Sequence, residues 1–227
     1  VPRPEGPFDL ILADWPWKYS ESGAIRRFKG TRKARAEDHY ETMTVEAMVD
    51  EFKPMLDGWA APDCALLSWG TWPKFPDHVD LLRGLGFDYV TGLFVWAKSR
   101  KPVDEDQGFL MNPDFSRITK PGLGYYCRLD TEYVTFSRRG MPPLPLDRGV
   151  GQTIFEPVGD HSAKPAESYV RIERLWPEAR RLEMFARRTR PGWAAFGDQV
   201  DKPTGPQAKG GGASPRAARA GAAVSHG

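Results

Sequence analysis

Along this chain short uninterrupted apolar runs alternate with longer stretches of helical spacing. A short apolar run closed by turn residues predicts a buried strand. Five fit: Phe8 to Ala13 ahead of Trp15-Pro16, Cys64 to Trp69 ahead of Gly70-Thr71, Phe87 to Ala97, Arg181 to Ala186, and Trp193 to Phe196. Helical spacing begins after Thr44, an N-cap residue, with Met48, Phe52 and Met55 on one face and Pro54 as the expected end. A second helix is predicted over 73–84, with Val79, Leu81 and Leu82 inward and Gly84 or Gly86 closing it. A third opens at His161 to Glu167, with Pro165 in its first turn and Tyr169, Ile172 and Leu175 inward. Leu123 to Arg128 and Glu132 to Phe136 suggest two strands joined at Leu129-Asp130, an antiparallel hairpin at one sheet edge. Strand–helix–strand alternation predicts an α/β domain with a mostly parallel sheet and crossover helices.

Between these elements lie stretches without periodicity. Residues 18–39 are polar, with Arg26, Arg27, Lys29, Arg32, Lys33 and Arg35 within ten residues. This loop directly follows the first strand, so it is either a solvated charged loop or a grip on substrate phosphates. Lys98 to Gly122 carries Lys98, Arg100, Lys101, Arg117 and Lys120 among Pro, Gly and Asp, and a loop of that length suggests substrate recognition. Gly140 to Pro157 reads as an irregular connection. From Asp201 the chain is Gly, Ala, Pro, Lys and Arg with almost nothing apolar, so one domain over 1–200 and a disordered tail over 201–227 are expected.

Composition narrows the class. At 227 residues, 40% hydrophobic and 27% charged, the chain can bury one core of ordinary size. The net charge of +2 hides an asymmetry: residues 201–227 carry +3, leaving the rest at −1. Nucleic-acid contact would therefore rest on local basic patches. Two isolated cysteines, Cys64 and Cys127, and four histidines offer no zinc spacing, so no metal is expected. No apolar run approaches the roughly 20 residues of a membrane helix, and a reduced, cytoplasmic protein is the simplest expectation.

The candidate chemistry gathers where predicted strands end: Asp14 after the first, Trp96 and Lys98 after the third, Arg187 after the Glu183 strand, Asp198 and Gln199 after the last. In open α/β sheets that edge is where ligands bind. Asp14-Trp15-Pro16-Trp17 combines a carboxylate, a proline turn and two indoles, a set suited to a planar base and its exocyclic amine. The chain has no G-x-x-x-x-G-K-[ST] loop, G-x-G-x-x-G turn or G-x-S-x-G elbow, so P-loop, dinucleotide and serine-hydrolase readings lose weight.

Asp14-Trp15-Pro16-Trp17 resembles the Asp-Pro-Pro-Trp motif of the MT-A70 family of adenine-N6 methyltransferases, which includes the catalytic subunit of the eukaryotic mRNA enzyme and bacterial and phage members. Tyr40-Glu41-Thr42-Met43, Phe94 to Lys98, Thr131-Glu132-Tyr133, His161 to Glu167, Leu182 to Arg187, Pro191-Gly192-Trp193 and Gly197-Asp198-Gln199 resemble the family's further motifs in order, over about residues 8–200. The resemblance implies a Rossmann-like class I methyltransferase fold, permuted so that the catalytic motif precedes the S-adenosylmethionine motif. It implies S-adenosylmethionine as methyl donor and adenine N6 in nucleic acid as acceptor; DNA is expected ahead of RNA because the chain reads as one compact domain with no separate RNA-binding module, and a homo- or heterodimer is left open. Asp14 and the carbonyls near Trp15-Pro16 would accept from the amine. Trp17, Tyr40 and Trp96 would contact or stack on the base, with Arg26, Arg27, Lys29 and Lys98 on the substrate. Ala13, Asp14, Lys164, Glu183, Phe185, Arg187, Asp198 and Gln199 would form the cofactor pocket, and Glu132 would support the crevice. Two positions depart from the pattern: Trp15 replaces the first proline, and Asp198 replaces an asparagine. The alternatives are a catalytically silent nucleic-acid-binding subunit with the same fold, an RNA adenosine methyltransferase, and methylation of another amine such as cytosine N4.

Overall fold

The structure, a computed structural model, describes residues 4–17, 42–100, 119–120, 122, 126–159, 163–198 and 200. A seven-stranded mixed sheet, mostly parallel, forms its centre. The elements in chain order are β1 (Phe8–Asp14), α1 (Val45–Trp59), β2 (Ala60–Gly70), α2 (Phe75–Gly84), β3 (Asp88–Ser99), β4 (Thr131–Arg139), β5 (Thr153–Pro157), α3 (Ala166–Leu175), β6 (Arg181–Met184) and β7 (Trp193–Phe196). A single 3-10 turn, Trp72–Lys74, leads into α2. Across the sheet the order is β5-β3-β4-β2-β1-β6-β7. Strand β4 runs antiparallel to both β2 and β3, and the other pairings are parallel.

Side chains alternate across a strand, so the sheet feeds two cores. Ile11, Ala13, Leu66, Leu182 and Met184 face α1 and α2, where Met48, Phe52, Leu56, Leu81 and Leu82 meet them. Leu10, Leu12, Leu67, Trp69, Phe94, Trp96 and Val134 face α3, which contributes Tyr169, Ile172 and Leu175. Strands β1 and β2 are apolar on both faces because both are covered, as parallel strands under crossover helices must be.

Three expectations need correction. The antiparallel strand is not an edge hairpin: β4 sits inside the sheet, and residues 126–130 before it form no strand. Tyr133, Val134, Thr135 and Ser137 are all buried, and a strand buried on both faces belongs in the interior. Pro54 does not end α1, which runs on to Trp59 with Leu56 and Trp59 buried. The proline is on the solvent face, so the hydrogen bond it cannot donate is lost at an exposed carbonyl while the apolar face stays seated. The stretch 140–157 contains a strand, β5, at the sheet edge beside β3, where its closing Pro157 is tolerated. The basic loop of 18–39, most of the 98–122 loop and the tail of 201–227 lie outside the described residues.

Candidate active site

At the carboxyl edge of the parallel strands, β1 ends in Asp14, opposite Trp69 of β2. Because β4 is antiparallel, its first residues reach the same edge, with Glu132 opposite Trp96 and Tyr133 opposite Gly70. The stretch before α3 brings Lys164 over the edge. Its Nζ lies 3.0 Å from Asp14 Oδ1 and 2.8 Å from Glu132 Oε2. The other oxygen of Glu132 accepts from Lys98 Nζ at 2.6 Å. Lys164 also sits over the Trp69 ring, 5.1 Å from its centroid, and Lys98 over Trp96 at 5.3 Å. The result is an alternating chain of charges, Asp14–Lys164–Glu132–Lys98, on the α3 face of the sheet.

Burial opposes the charge on Lys164, but the Asp14 and Glu132 carboxylates outweigh it and hold the ammonium above its usual range. Burial likewise opposes ionisation of Glu132, but Lys164 and Lys98 more than offset this, so its carboxyl lies below the usual value. Lys164 and Glu132 thus hold each other in their ionised forms. The Asp14 side chain keeps 37% exposure, against 13% for Glu132 and 14% for Lys164. Of the three, Asp14 is the most open to a ligand.

Next to it on the same face, Glu183 of β6 accepts from the Tyr169 hydroxyl at 2.7 Å. Burial, only partly offset by that bond, raises the Glu183 carboxyl. Arg190 stacks on Tyr169, 3.7 Å from the ring centroid. Phe185 follows with φ 62°, the left-handed region that side chains rarely occupy. The chain bends there so tightly that a Cβ on Gly197 would lie 2.5 Å from the Ala186 carbonyl oxygen. Strained backbone at a strand end is often associated with ligand sites.

The opposite face at this edge is a second, uncharged chain. The Trp15 indole donates to Ser68 Oγ of β2. His78 of α2 bridges Ser68 Oγ at 2.7 Å and the Tyr133 hydroxyl at 3.0 Å. Sequence reasoning missed Ser68 and His78. The available signal was a histidine on the inward face of α2, one turn before Leu81 and Leu82.

The predicted site residues divide accordingly. Asp14, Lys98 and Lys164 converge with Glu132. Ala13 is fully buried within β1, where only its paired backbone is presented. Trp15, Trp17 and Trp96 are buried at 3%, 5% and 1% exposure, and their rings pack inward. Trp15 lies against Phe52 and Phe185, Trp17 against His78, and Trp96 against Trp69 with its indole donating to the Glu156 carbonyl. The turn's carbonyls are already engaged, Trp15 by the Trp17 amide and Pro16 by the Met43 amide. Glu183 faces Tyr169 on the α3 side, Phe185 packs against Trp15 and Phe52 on the opposite side, and Arg187 and Asp198 follow just beyond the ends of β6 and β7, with Asp198 exposed. Tyr40, Arg26, Arg27, Lys29 and Gln199 lie outside the described residues.

Among known proteins, the MT-A70 family model matches residues 146–199. The chain is 28% identical to the type II methyltransferase M.MunI of Mycoplasma sp., over 87% of this chain and 79% of that protein. It is 30% identical to the N(6)-adenosine-methyltransferase MT-A70-like protein of Arabidopsis thaliana, over 86% of this chain and 24% of the relative. Against the human N(6)-adenosine-methyltransferase catalytic subunit METTL3 the figures are 26%, 86% and 29%. The chain thus spans most of the first protein and under a third of the other two. No helix among the described residues is long and apolar enough to cross a membrane. Read with the carboxylate turn at the end of β1, these matches show that the chain belongs to the MT-A70 family of S-adenosylmethionine-dependent adenine-N6 methyltransferases.

Proposed function

We infer that this chain transfers a methyl group from S-adenosylmethionine to N6 of adenine in nucleic acid, with DNA ahead of RNA, on a permuted Rossmann-like methyltransferase fold. The observation that carries the reading is the Asp14 carboxylate, exposed at the parallel-strand edge and braced by Lys164. Similarity to a type II methyltransferase over most of both chains favours DNA.

The donor and acceptor types along this edge suit the cofactor. Lys164 and Arg187 offer cations to a carboxylate, Asp14 and Asp198 offer acceptors to an ammonium and to ribose hydroxyls, and Phe185 offers an aromatic wall. Gln199 and the half-buried Glu183 belong to the same pocket in this reading. When bound, the cofactor supplies an electrophilic methyl group on a sulfonium.

The amine of adenine is a weak nucleophile because its lone pair is delocalised into the ring. Asp14 accepts a hydrogen bond from that amine, turns it out of conjugation and stabilises the positive charge that develops on nitrogen. The second lone pairs of the Trp15 and Pro16 carbonyls remain able to assist. Lys164 and Glu132 hold the Asp14 carboxylate in place, which favours near-attack geometry. Trp17 and Trp96, buried as they are, support the crevice from behind. Contact with the base then falls to Tyr40, and Arg26, Arg27, Lys29 and Lys98 serve the substrate backbone. A base taken from a duplex must be flipped out first.

The test is incubation with labelled S-adenosylmethionine and unmethylated DNA and RNA pools, followed by nucleoside mass spectrometry. N6-methyladenine from the DNA pool is the expected result. Product from the RNA pool alone would move the substrate to RNA, the reading suggested by the adenosine-methyltransferase relatives. N4-methylcytosine, or no product together with no cofactor binding at millimolar concentration, would overturn the proposal.

A further inference from the structure

The turn after β1 carries a tryptophan where the family motif has a proline, so its first position lacks the fixed φ of a pyrrolidine ring. The Trp15 indole reaches instead across the sheet edge to β2 and meets a buried polar chain. We propose that Ser68, His78 and Tyr133 are positioning residues that hold the Asp14–Trp17 turn in its working geometry through the Trp15 indole. The proposal rests on the function inferred above, because the turn matters to catalysis only if Asp14 meets the substrate amine.

The hydrogen-bond chemistry of the four residues sets a direction. An indole can only donate, so Ser68 Oγ accepts from Trp15. The Ser68 hydroxyl proton then needs an acceptor, and the one in reach is His78 Nε2, 2.7 Å away. With Nε2 accepting, the neutral ring carries its proton on Nδ1 and donates to the Tyr133 hydroxyl at 3.0 Å. In the other tautomer Ser68 Oγ accepts from both Trp15 and His78, and its own proton has no acceptor within the chain. Both arrangements form all three bonds, but the first alone also gives the buried Ser68 proton an acceptor within the chain.

The chain is closely confined. Ser68 and His78 are 0% and 1% exposed, and Tyr133 is 2% exposed. His78 and Tyr133 stack with ring centroids 5.5 Å apart, and the edge of Trp17 closes on His78 at 5.6 Å. Gly70 leaves room for them, since a Cβ there would lie 2.5 Å from both His78 Nδ1 and the Tyr133 hydroxyl. The sheet's alternation explains the division of labour. Asp14 and Trp15 leave the edge on opposite faces, as do Glu132 and Tyr133. Each face of β4 therefore braces one side of the same turn, through Lys164 to Asp14 and through His78 and Ser68 to Trp15.

The experiment compares wild type with Ser68→Ala, Trp15→Phe, the double variant, His78→Leu and His78→Gln, with activity expressed per folded molecule. Each of Ser68→Ala, Trp15→Phe and His78→Leu is expected to lower kcat about tenfold or more, since small misplacements of reacting groups are costly. The affinity for S-adenosylmethionine should stay within about threefold of wild type, because binding does not require near-attack alignment. The double variant should fall no further than the worse single, because both changes break one bond. His78→Gln keeps an acceptor for Ser68 and should recover much of the rate that His78→Leu loses. Multiplying effects, a folded Ser68→Ala enzyme within twofold of wild type, or glutamine no better than leucine would each overturn the proposal.

A second readout is independent of turnover. With nitrogen-15-labelled indoles, assigned by loss of one signal in Trp15→Phe, Ser68→Ala should shift the Trp15 N–H resonance and speed its exchange with solvent. An unmoved resonance would overturn the proposal. Wild type that makes no methylated nucleoside would sink the functional reading instead, while this resonance would still decide whether the chain holds the turn.

Discussion

The clearest quantitative consequence of the fold concerns the acid sensitivity of its stability. His78 is buried between β2, β4 and the Trp17 ring, and the hydrogen bond its Nε2 accepts from Ser68 requires the neutral form. Burial lowers its pKa from 6.5 to about 4. Below pH 6.5 the unfolded chain takes up a proton at His78 that the folded chain refuses until about pH 4. Stability therefore rises with pH across that window. With one unit worth about 1.36 kcal/mol, the penalty relative to neutral pH reaches about 2 kcal/mol at pH 5 and about 3 kcal/mol at pH 4, then levels off. The assay is urea unfolding of wild type and His78→Gln at pH 7, 6, 5 and 4. Their difference cancels the other titrating groups so far as these act independently. The gap between the two should close by those amounts on acidification. If the two curves of stability against pH run parallel from pH 7 to 4, His78 is not held neutral and the direction assigned to its hydrogen bonds is wrong.

Other perturbations address the charged face and the substrate grip. Asp14→Ala should cut turnover by about a hundredfold or more and weaken cofactor binding far less; single-turnover rates and calorimetric binding separate the two, and activity within a few-fold of wild type would refute the mechanism. Lys164→Met leaves Asp14 and Glu132 without their shared cation, though Glu132 keeps Lys98 and Asp14 reaches solvent, so unfolding free energy should drop by about 1–3 kcal/mol, read by urea unfolding at pH 7, and S-adenosylmethionine affinity should drop with it. Replacing Arg26, Arg27 and Lys29 with glutamine should flatten the dependence of substrate affinity on salt, by up to about one unit of log–log slope for each phosphate no longer neutralised; an unchanged slope in a fluorescence titration would leave that cluster merely solvated.

The sequence was most informative where a local pattern is enough. Strands β1, β2, β3, β6 and β7 and the three helices among the described residues follow from apolar runs, caps and spacing, and the Asp14 edge follows from where those runs stop. It was least informative where neighbours decide. Nothing local in Thr131 to Arg139 says that it threads between β2 and β3 rather than flanking an edge, because an antiparallel strand reads alike in both places until its partners are known. Thr153 to Pro157 is too short and too mixed to announce a strand, and becomes one through pairing with β3. Lys164 and Glu132 were legible through the family motif, but their ion pair spans 32 residues of sequence, a distance no periodicity encodes.

The same limit explains the tryptophans. A motif with two indoles beside a carboxylate invites a stacking role for both, and the structure buries them. The reason lies in the strand period. Asp14 points to the α3 face, so Trp15 must point to the other, where α1 and α2 supply an apolar lining and Ser68 supplies the acceptor that a buried indole requires. Tryptophan in place of proline therefore exchanges local rigidity for rigidity borrowed from β2, α2 and β4. That exchange ties the tolerance of the turn to residues far from it in sequence. A proline returned to position 15 would leave Ser68 without its indole donor and open a void against Phe52 and Phe185. Restoring the family's residue alone should therefore destabilise this chain, and recovery should require the Ser68–His78 pair and the packing around it to change together.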